Sequence, residues 1–264
     1  MAIDISSQIK QAQLAYVYPV HGSPNQTIEN AFQHIYAACM SLNAHIYVVD
    51  DGMRDPAMEK LFAGKPNVLY LGLPEQRYLT RSWNTGAAAA FGNGADIAVI
   101  GNADAYPTSI RNLEILRQAC DIARDSIFAV GPMTNAPGHI AQQKSSPVDN
   151  RRAKLLIEYD HTLLYKLDPV CNINGFSWAI HKQNYLKALE LRNGVFLEGS
   201  PDKKLWLTDY GAVMTAWQGN PAVSMAQLGQ EDELFIWANR RLNMPCGIAP
   251  YSFFQHDKGA LYGA

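Results

Sequence analysis

The sequence predicts an α/β protein built on a mainly parallel central sheet with helices on both faces. Three observations predict it. Short apolar, β-branched runs alternate with segments of helical periodicity through the first half of the chain. Acidic turns follow the second and fourth runs, at the strand ends where ligand crevices form in open α/β sheets. The strands themselves are apolar on both sides, as strands covered on two faces must be.

The elements follow in order. Leu14–Val20 (LAYVYPV) reads as a buried strand, stopped by Pro19 and the His21-Gly22-Ser23-Pro24 turn. Asn25 or Ser23 caps the next helix, whose apolar positions Ile28, Phe32, Ile35, Tyr36 and Cys39 recur at helical spacing. His45–Val49 is a second strand running into Asp50-Asp51-Gly52. A short helix fits Pro56–Phe62, a third strand Asn67–Leu71, and a helix Thr80–Phe91 with an alanine run suited to close packing. A fourth strand, Asp96–Ile100, closes on Gly101-Asn102-Ala103-Asp104. A helix over Thr108–Ala123 and a strand over Ser126–Val130 complete the alternation.

Pro132–Arg152, with three prolines and a glycine among polar residues, reads as a long loop. Beyond it the sequence predicts a strand over Asn172–Ile180 and helices over His181–Leu191, Lys203–Trp217 and Gln230–Leu242. The last begins with acids and ends with Arg240 and Arg241, matching the helix dipole.

The 264 residues suffice for one large α/β domain or two small ones, and at 48% hydrophobic and 17% charged the chain is expected to be globular rather than disordered. A net charge of −2 without a basic block gives no general grip on nucleic acid or anionic membrane. Cys39, Cys120, Cys171 and Cys246 are too scattered for a zinc knuckle or redox pair and are expected as free buried thiols. The amino terminus lacks the cationic start and apolar run of a signal peptide, and no apolar stretch reaches the ~20 residues of a membrane span. A cytoplasmic protein is expected.

Several residues carry candidate chemistry. Adjacent Asp50 and Asp51 repel each other and need solvent or a ligand, such as a base N–H or ribose hydroxyl. An ordinary Asp-Gly turn is the structural alternative. Asn102 and Asp104, two apart at a strand end, can aim two oxygens at one hard cation. Arg81 suits phosphate, and with Asn84 it opens a helix, where surface charge and capping are the simpler explanation. Glu231 and Asp232 open the last helix, where acids also belong for dipole reasons; as functional groups, one is a general base. His256 sits in an aromatic segment and as neutral imidazole completes a metal site.

The order of these pieces resembles the family 2-like GT-A glycosyltransferases. The matching segments are YVYPVHG (16 to 22), YVVDDGMRD (47 to 55), RSWNTGAAAAFGNG (81 to 94), VIGNADAYP (99 to 107), GFSWAIHKQNY (175 to 185), GQEDELFIWANRRLNMP (229 to 245) and the late His256. The resemblance implies one GT-A domain over residues 1–264. Residues 14–131 would bind a nucleotide-sugar donor, and 132–264 would carry the acceptor site and catalytic base.

It further implies donor contacts from Pro19, Val20, His21, Asp50, Asp51, Arg81, Asn102, Ala103, Asp104 and Glu231, and Mn²⁺ or Mg²⁺ held by Asp104 and His256. Asp232 is implied as the base of an inverting transfer from a nucleotide-diphosphate sugar, with UDP as the expected nucleotide, to an acceptor hydroxyl. The acceptor is open: a saccharide, lipid carrier, protein or modified nucleobase. The Pro132–Arg152 loop is expected to close over the donor.

Two positions depart from the family pattern. Asn102 stands where the D-x-D motif has its first Asp, and His21 where relatives carry a small polar residue. Residues 197–225 match nothing in the family. Asn102 motivates a rival reading, a non-catalytic nucleotide- or sugar-binding protein. A nucleotidyltransferase is the other rival, but it is expected to carry a Gly-rich phosphate loop with a lysine, and HGSPNQT has one glycine and no lysine. No G-x-G-x-x-G follows the first strand, which disfavours a dehydrogenase.

Overall fold

The computed structural model describes residues 12–52, 55–75, 78–136, 142, 168–170, 173, 175–194, 196–197 and 231–257. The first half is β1 (Leu14–Val20), α1 (Gln26–Ser41), β2 (His45–Asp50), α2 (Pro56–Phe62), β3 (Val68–Gly72), α3 (Tyr78–Gly92), β4 (Ile97–Gly101), β5 (Ala105–Pro107) and α4 (Ile110–Ala123). Then come β6 (Val130–Thr134), β7 (Asp168–Val170), β8 (Ser177–His181), α5 (Lys182–Leu191), α6 (Glu231–Leu242) and β9 (Cys246–His256).

The described strands form one sheet in the order β3-β2-β1-β4-β8-β6-β9-β5, with β7 also paired to β9. Here the expectation of a mainly parallel sheet needs correction. β3-β2-β1-β4 is parallel throughout, but β8 runs antiparallel to both β4 and β6, and β5 and β7 run antiparallel to β9. Only β6–β9 is parallel in the second half. The strand–helix alternation that enforces parallel pairing ends after α4, and the later strands return by other routes.

Helices cover both faces, as predicted. On β1, Leu14, Tyr16, Tyr18 and Val20 join one core with α1, α2 and α4, through Phe32, Phe62 and Leu116. The alternate residues Ala15 and Val17 join a second core with α3, α5 and α6, through Trp83, Tyr185 and Phe235. Side chains of successive strand residues point to opposite faces, so every residue of β1 is buried.

Local chemistry sets the helix starts. Asn25 caps α1 by accepting from the Ile28 N–H at 3.0 Å, and Asp55 caps α2, with Pro56 at its first position. α3 lies unusually close to β1. A Cβ on Gly86 would sit 2.2 Å from Val17 Cγ1, so this helix position requires glycine for contact rather than for torsion.

Two further boundaries differ from expectation. The strand expected at Ser126–Val130 begins at Val130 and runs to Thr134, so Pro132 lies in a strand and not in the predicted loop. Proline is tolerated there because the β6–β9 register breaks between Pro132 and Met133. The Pro132 carbonyl is met by Gln142 Nε2 at 2.8 Å, and Asn112 of α4 holds the bulged β9, its carbonyl accepting from the Ser252 hydroxyl and its Oδ1 from the Phe253 N–H. The aromatic tail is part of an 11-residue strand, β9. The expected Lys203–Trp217 helix, residues 198–225 and most of the Pro132–Arg152 loop lie outside the described residues, as does Cys171. Cys39, Cys120 and Cys246 are buried free thiols.

Replacing Gly86 with alanine is expected to destabilise the fold by about 1–3 kcal/mol, because Val17 is walled in by the central sheet and has nowhere to move. Urea unfolding checks this through a lowered midpoint at unchanged slope.

Candidate active site

The strand order reverses at β1. The chain lays β2 and β3 on one side of it, then returns to place β4 on the other. Such a switch point opens a crevice beyond the carboxyl ends of the two central strands. Here β1 and β4 part early. Their last pair is Val17 with Ile100, whereas β1 stays paired to β2 as far as Val20 with Asp50.

The Val20 carbonyl turns to the β2 side, where it accepts from the Asp51 N–H at 3.0 Å. The Pro19 nitrogen therefore faces the other side, past the end of the β4 ladder, where a missing N–H breaks no pair. The Tyr18 hydroxyl spans part of this opening, donating toward the carbonyls of Ala103 at 2.9 Å and Ile28 at 3.1 Å. It thereby ties the Asn102–Asp104 turn to β1 and α1.

The two acidic turns flank β1 at the same edge. Their strands are two steps apart in the sheet, about 10 Å. Asp50 is fully buried, with Oδ2 accepting from the Tyr70 hydroxyl at 2.5 Å and Oδ1 without a partner. Burial, then the bond to Asp50, pushes the Tyr70 hydroxyl far above its ordinary pKa, so it stays a donor. Asp51 is also buried and follows the last residue of β2. Gly52, at φ +81°, turns the chain away in a conformation that favours glycine.

Across β1, Asp104 and His256 meet. Both are buried, and Asp104 Oδ1 lies 3.5 Å from His256 Nε2. The Asp257 N–H donates to the Asp104 carbonyl at 2.9 Å, and Ala105 of β5 pairs with His256 of β9. The ring of Phe176 stacks on the imidazole at 5.2 Å. His256 Nδ1 is 2.9 Å from the Ala136 carbonyl. A carbonyl only accepts, so Nδ1 carries a hydrogen and Nε2 is the nitrogen that faces the Asp104 carboxylate.

A buried carboxylate and an imidazole nitrogen 3.5 Å apart are also two groups that one cation could share. A histidine with its far N–H on a backbone carbonyl is the usual form of a metal ligand. Among the described residues no group of three or more His, Cys, Asp or Glu side chains gathers around one point. One carboxylate and one imidazole are enough for an ion that takes its other ligands from phosphate and water.

The remaining predicted residues are distributed as follows. Asn102 adjoins Asp104, its N–H donating to the Phe176 carbonyl at 2.8 Å and its Oδ1 buried without a partner. Ala103 contributes its carbonyl to Tyr18. His21 is exposed just beyond β1. Arg81 is exposed in the first turns of α3, the end that Trp83 ties to the Gly101 carbonyl of β4 at 2.9 Å. Glu231 and Asp232 open α6, but their carboxylates lie outside the described side chains.

Sequence reasoning missed three residues that brace this edge, Tyr18, Tyr70 and Asn135, and it read Asn84 as a capping residue. Asn84 bonds both backbone groups of Leu197, at 2.7 and 3.1 Å, which gives it a structural role in place of helix capping. The tyrosines left a signal, since a hydroxyl on an apolar strand face needs a partner. Asn135 left none. A cavity of about 590 Å³ lies at the opposite, amino edge of the sheet, lined among others by Gln13, Asn43, His45, Asn67 and Arg117, and contains none of the predicted residues.

Solved structures share this architecture. One is the mannosyltransferase PcManGT from Pyrobaculum calidifontis, in complex with GDP-Man and Mn²⁺, at TM-score 0.55 and 15% identity over 95% of this chain. The chain adopts a GT-A-like glycosyltransferase fold. It spans 59% of that mannosyltransferase chain. A mycobacterial protein matches at TM-score 0.52 and 16% identity, over 95% of this chain and 69% of its own. No protein-family model and no curated protein matches the sequence. In the GT-A-like frame, the acidic turns and His256 all belong to the sheet's carboxyl side. Among the described residues no helix is long and apolar enough to cross a membrane.

Tyr70→Phe is expected to cost about 1–3 kcal/mol, because it removes the hydrogen bond that satisfies the buried Asp50 carboxylate. Chemical denaturation checks it, and a change within about 0.5 kcal/mol would mean that Asp50 finds another donor.

Proposed function

We propose that the protein is a metal-dependent glycosyltransferase that moves a sugar from a nucleotide-diphosphate sugar to an acceptor hydroxyl. The observation that carries this reading is the Asp104–His256 pair, a buried carboxylate and a buried imidazole 3.5 Å apart beside the switch-point crevice. The fold shared with the mannosyltransferase supports it, and that protein's complex contains GDP-Man and Mn²⁺.

Asp104 and His256 would hold Mn²⁺ or Mg²⁺. Such an ion, when bound, neutralises charge on a departing diphosphate. Asp50 is engaged by Tyr70, and Asp51, one residue beyond β2 at the same edge, would read the base or ribose. Asn102 offers an amide to a ribose hydroxyl in place of a carboxylate. Pro19, Val20, His21, Ala103, Arg81 and Glu231 complete the donor set.

Asp232 is the proposed base. As the acceptor oxygen bonds to the anomeric carbon, the bond from that carbon to the diphosphate oxygen breaks and Asp232 takes the hydroxyl proton. One displacement of this kind inverts the anomeric centre. The expected donor nucleotide is UDP, with GDP as the comparison, and residues 1–264 act as one unit.

A second reading rests on Asn102. The loss of one acidic charge at the D-x-D position favours a protein that binds a nucleotide sugar without turning it over. Isothermal titration with UDP and GDP, with and without Mn²⁺, followed by a donor-hydrolysis assay, separates the two. The enzyme binds in the presence of metal and hydrolyses donor slowly; the binding protein only binds.

Two substitutions test the assignments. Asp104→Ala is expected to weaken Mn²⁺-dependent nucleotide binding at least about 10-fold by titration. Asp232→Asn is expected to lower kcat about 10²–10⁴-fold with the donor Kd nearly unchanged; full turnover in that variant would remove Asp232 from the mechanism.

A further inference from the structure

We infer that Asn135 is a positioning residue for the metal site, acting through His256. The inference rests on the reading of Asp104 and His256 as metal ligands. It concerns how the imidazole is presented, which that reading leaves open.

The geometry is specific. Asn135 follows directly on β6, whose last pair with β9 joins Thr134 to Phe254. Two residues further along β9 the strand has no backbone partner from β6. The Asn135 side chain takes that place: Oδ1 accepts from the His256 N–H at 2.8 Å, and Nδ2 donates to the His256 carbonyl at 3.1 Å. An amide that donates and accepts in parallel reproduces a strand neighbour with both backbone bonds. The Thr134 hydroxyl steadies the amide, donating to Oδ1 at 3.3 Å and accepting from the Ala136 N–H at 3.4 Å.

The same turn sets the imidazole. With the His256 backbone clamped to Asn135, the next residue's carbonyl, Ala136, falls 2.9 Å from Nδ1. That bond selects the Nδ1–H tautomer and leaves Nε2 as the atom facing Asp104. Phe176 stacks on the ring and restricts its rotation. Three consecutive residues, Thr134 to Ala136, thus fix the position, tautomer and direction of one ligand. Only an amide fits the central role. Aspartate lacks the donor and alanine lacks both groups.

The test uses the full chain in metal-free form, at about pH 8 so that an ordinary imidazole is neutral. Long-range ¹H–¹⁵N spectra, with His256→Gln to assign the signal, are expected to show Nδ1–H in the wild type and a mixture of tautomers in Asn135→Ala. Mn²⁺ titration followed by the electron paramagnetic resonance of free Mn²⁺ is expected to show about 10–100-fold weaker binding in Asn135→Ala. Asn135→Asp, which keeps size and acceptor but loses the donor, is expected to fall between, and serves if the alanine variant does not fold. An Nε2–H tautomer in the wild type, or unchanged tautomer and Mn²⁺ affinity in both variants, overturns the inference. If the tautomer changes as expected but the wild type binds no Mn²⁺, the positioning role stands and the metal reading falls.

Discussion

The early parting of β1 from β4 is the constraint on which the site depends. β1 is the central strand of the parallel half and is buried on both faces, so it cannot shift without disturbing two cores at once. Past Val17 it keeps β2 and loses β4. The chain after β4 then turns at Asn102–Asp104 and is held by hydrogen bonds from other elements, to Tyr18 and Phe176. A crevice at a switch point is a consequence of topology. That polar residues line this one is a matter of sequence.

The second half of the chain is fitted to that opening. β8 pairs antiparallel with β4 and ends the parallel run, and its Ser177 faces Gly101, where a Cβ would meet the Tyr16 hydroxyl at 2.6 Å. β9 then brings His256 from the far end of the chain to Asp104, 152 positions earlier, through its pairing with β5. The break in register at Pro132 lets β9 carry extra residues and still reach that point. Irregular strand features of this kind cluster next to functional sites because they re-aim side chains.

The polar groups of this edge divide into two kinds. Some are satisfied internally and act as braces: Tyr18 on Ala103, Tyr70 on Asp50, Asn84 on Leu197 and Asn135 on His256. Others are buried and have no hydrogen-bond partner among the described residues, as with Asn102 Oδ1 and Asp50 Oδ1. An unsatisfied buried acceptor costs roughly 1–3 kcal/mol. These atoms lie beside the crevice, with the buried Asp104 and His256 across β1, so polar groups concentrate at this edge of the sheet.

By itself the sequence determined the local elements and one half of the architecture. β1 and α2 coincide with their predicted spans, and β2, β3, α3 and β4 differ by one or two residues, because apolar period and capping residues are local signals. Asp50, Asp51, Asn102 and Asp104 were legible as strand-end polar residues for the same reason. The direction of β8, the strand character of Val130–Thr134 and the length of β9 were not legible, since each depends on a partner far away in the chain. Pro132 even argues against the strand it occupies, and only the broken register makes it tolerable. The meeting of Asp104 with His256 was implied by the resemblance and by no local signal, and the clamp that Asn135 places on His256 was decided by tertiary structure alone. A hydrogen bond between residues more than a hundred positions apart leaves no periodicity to read.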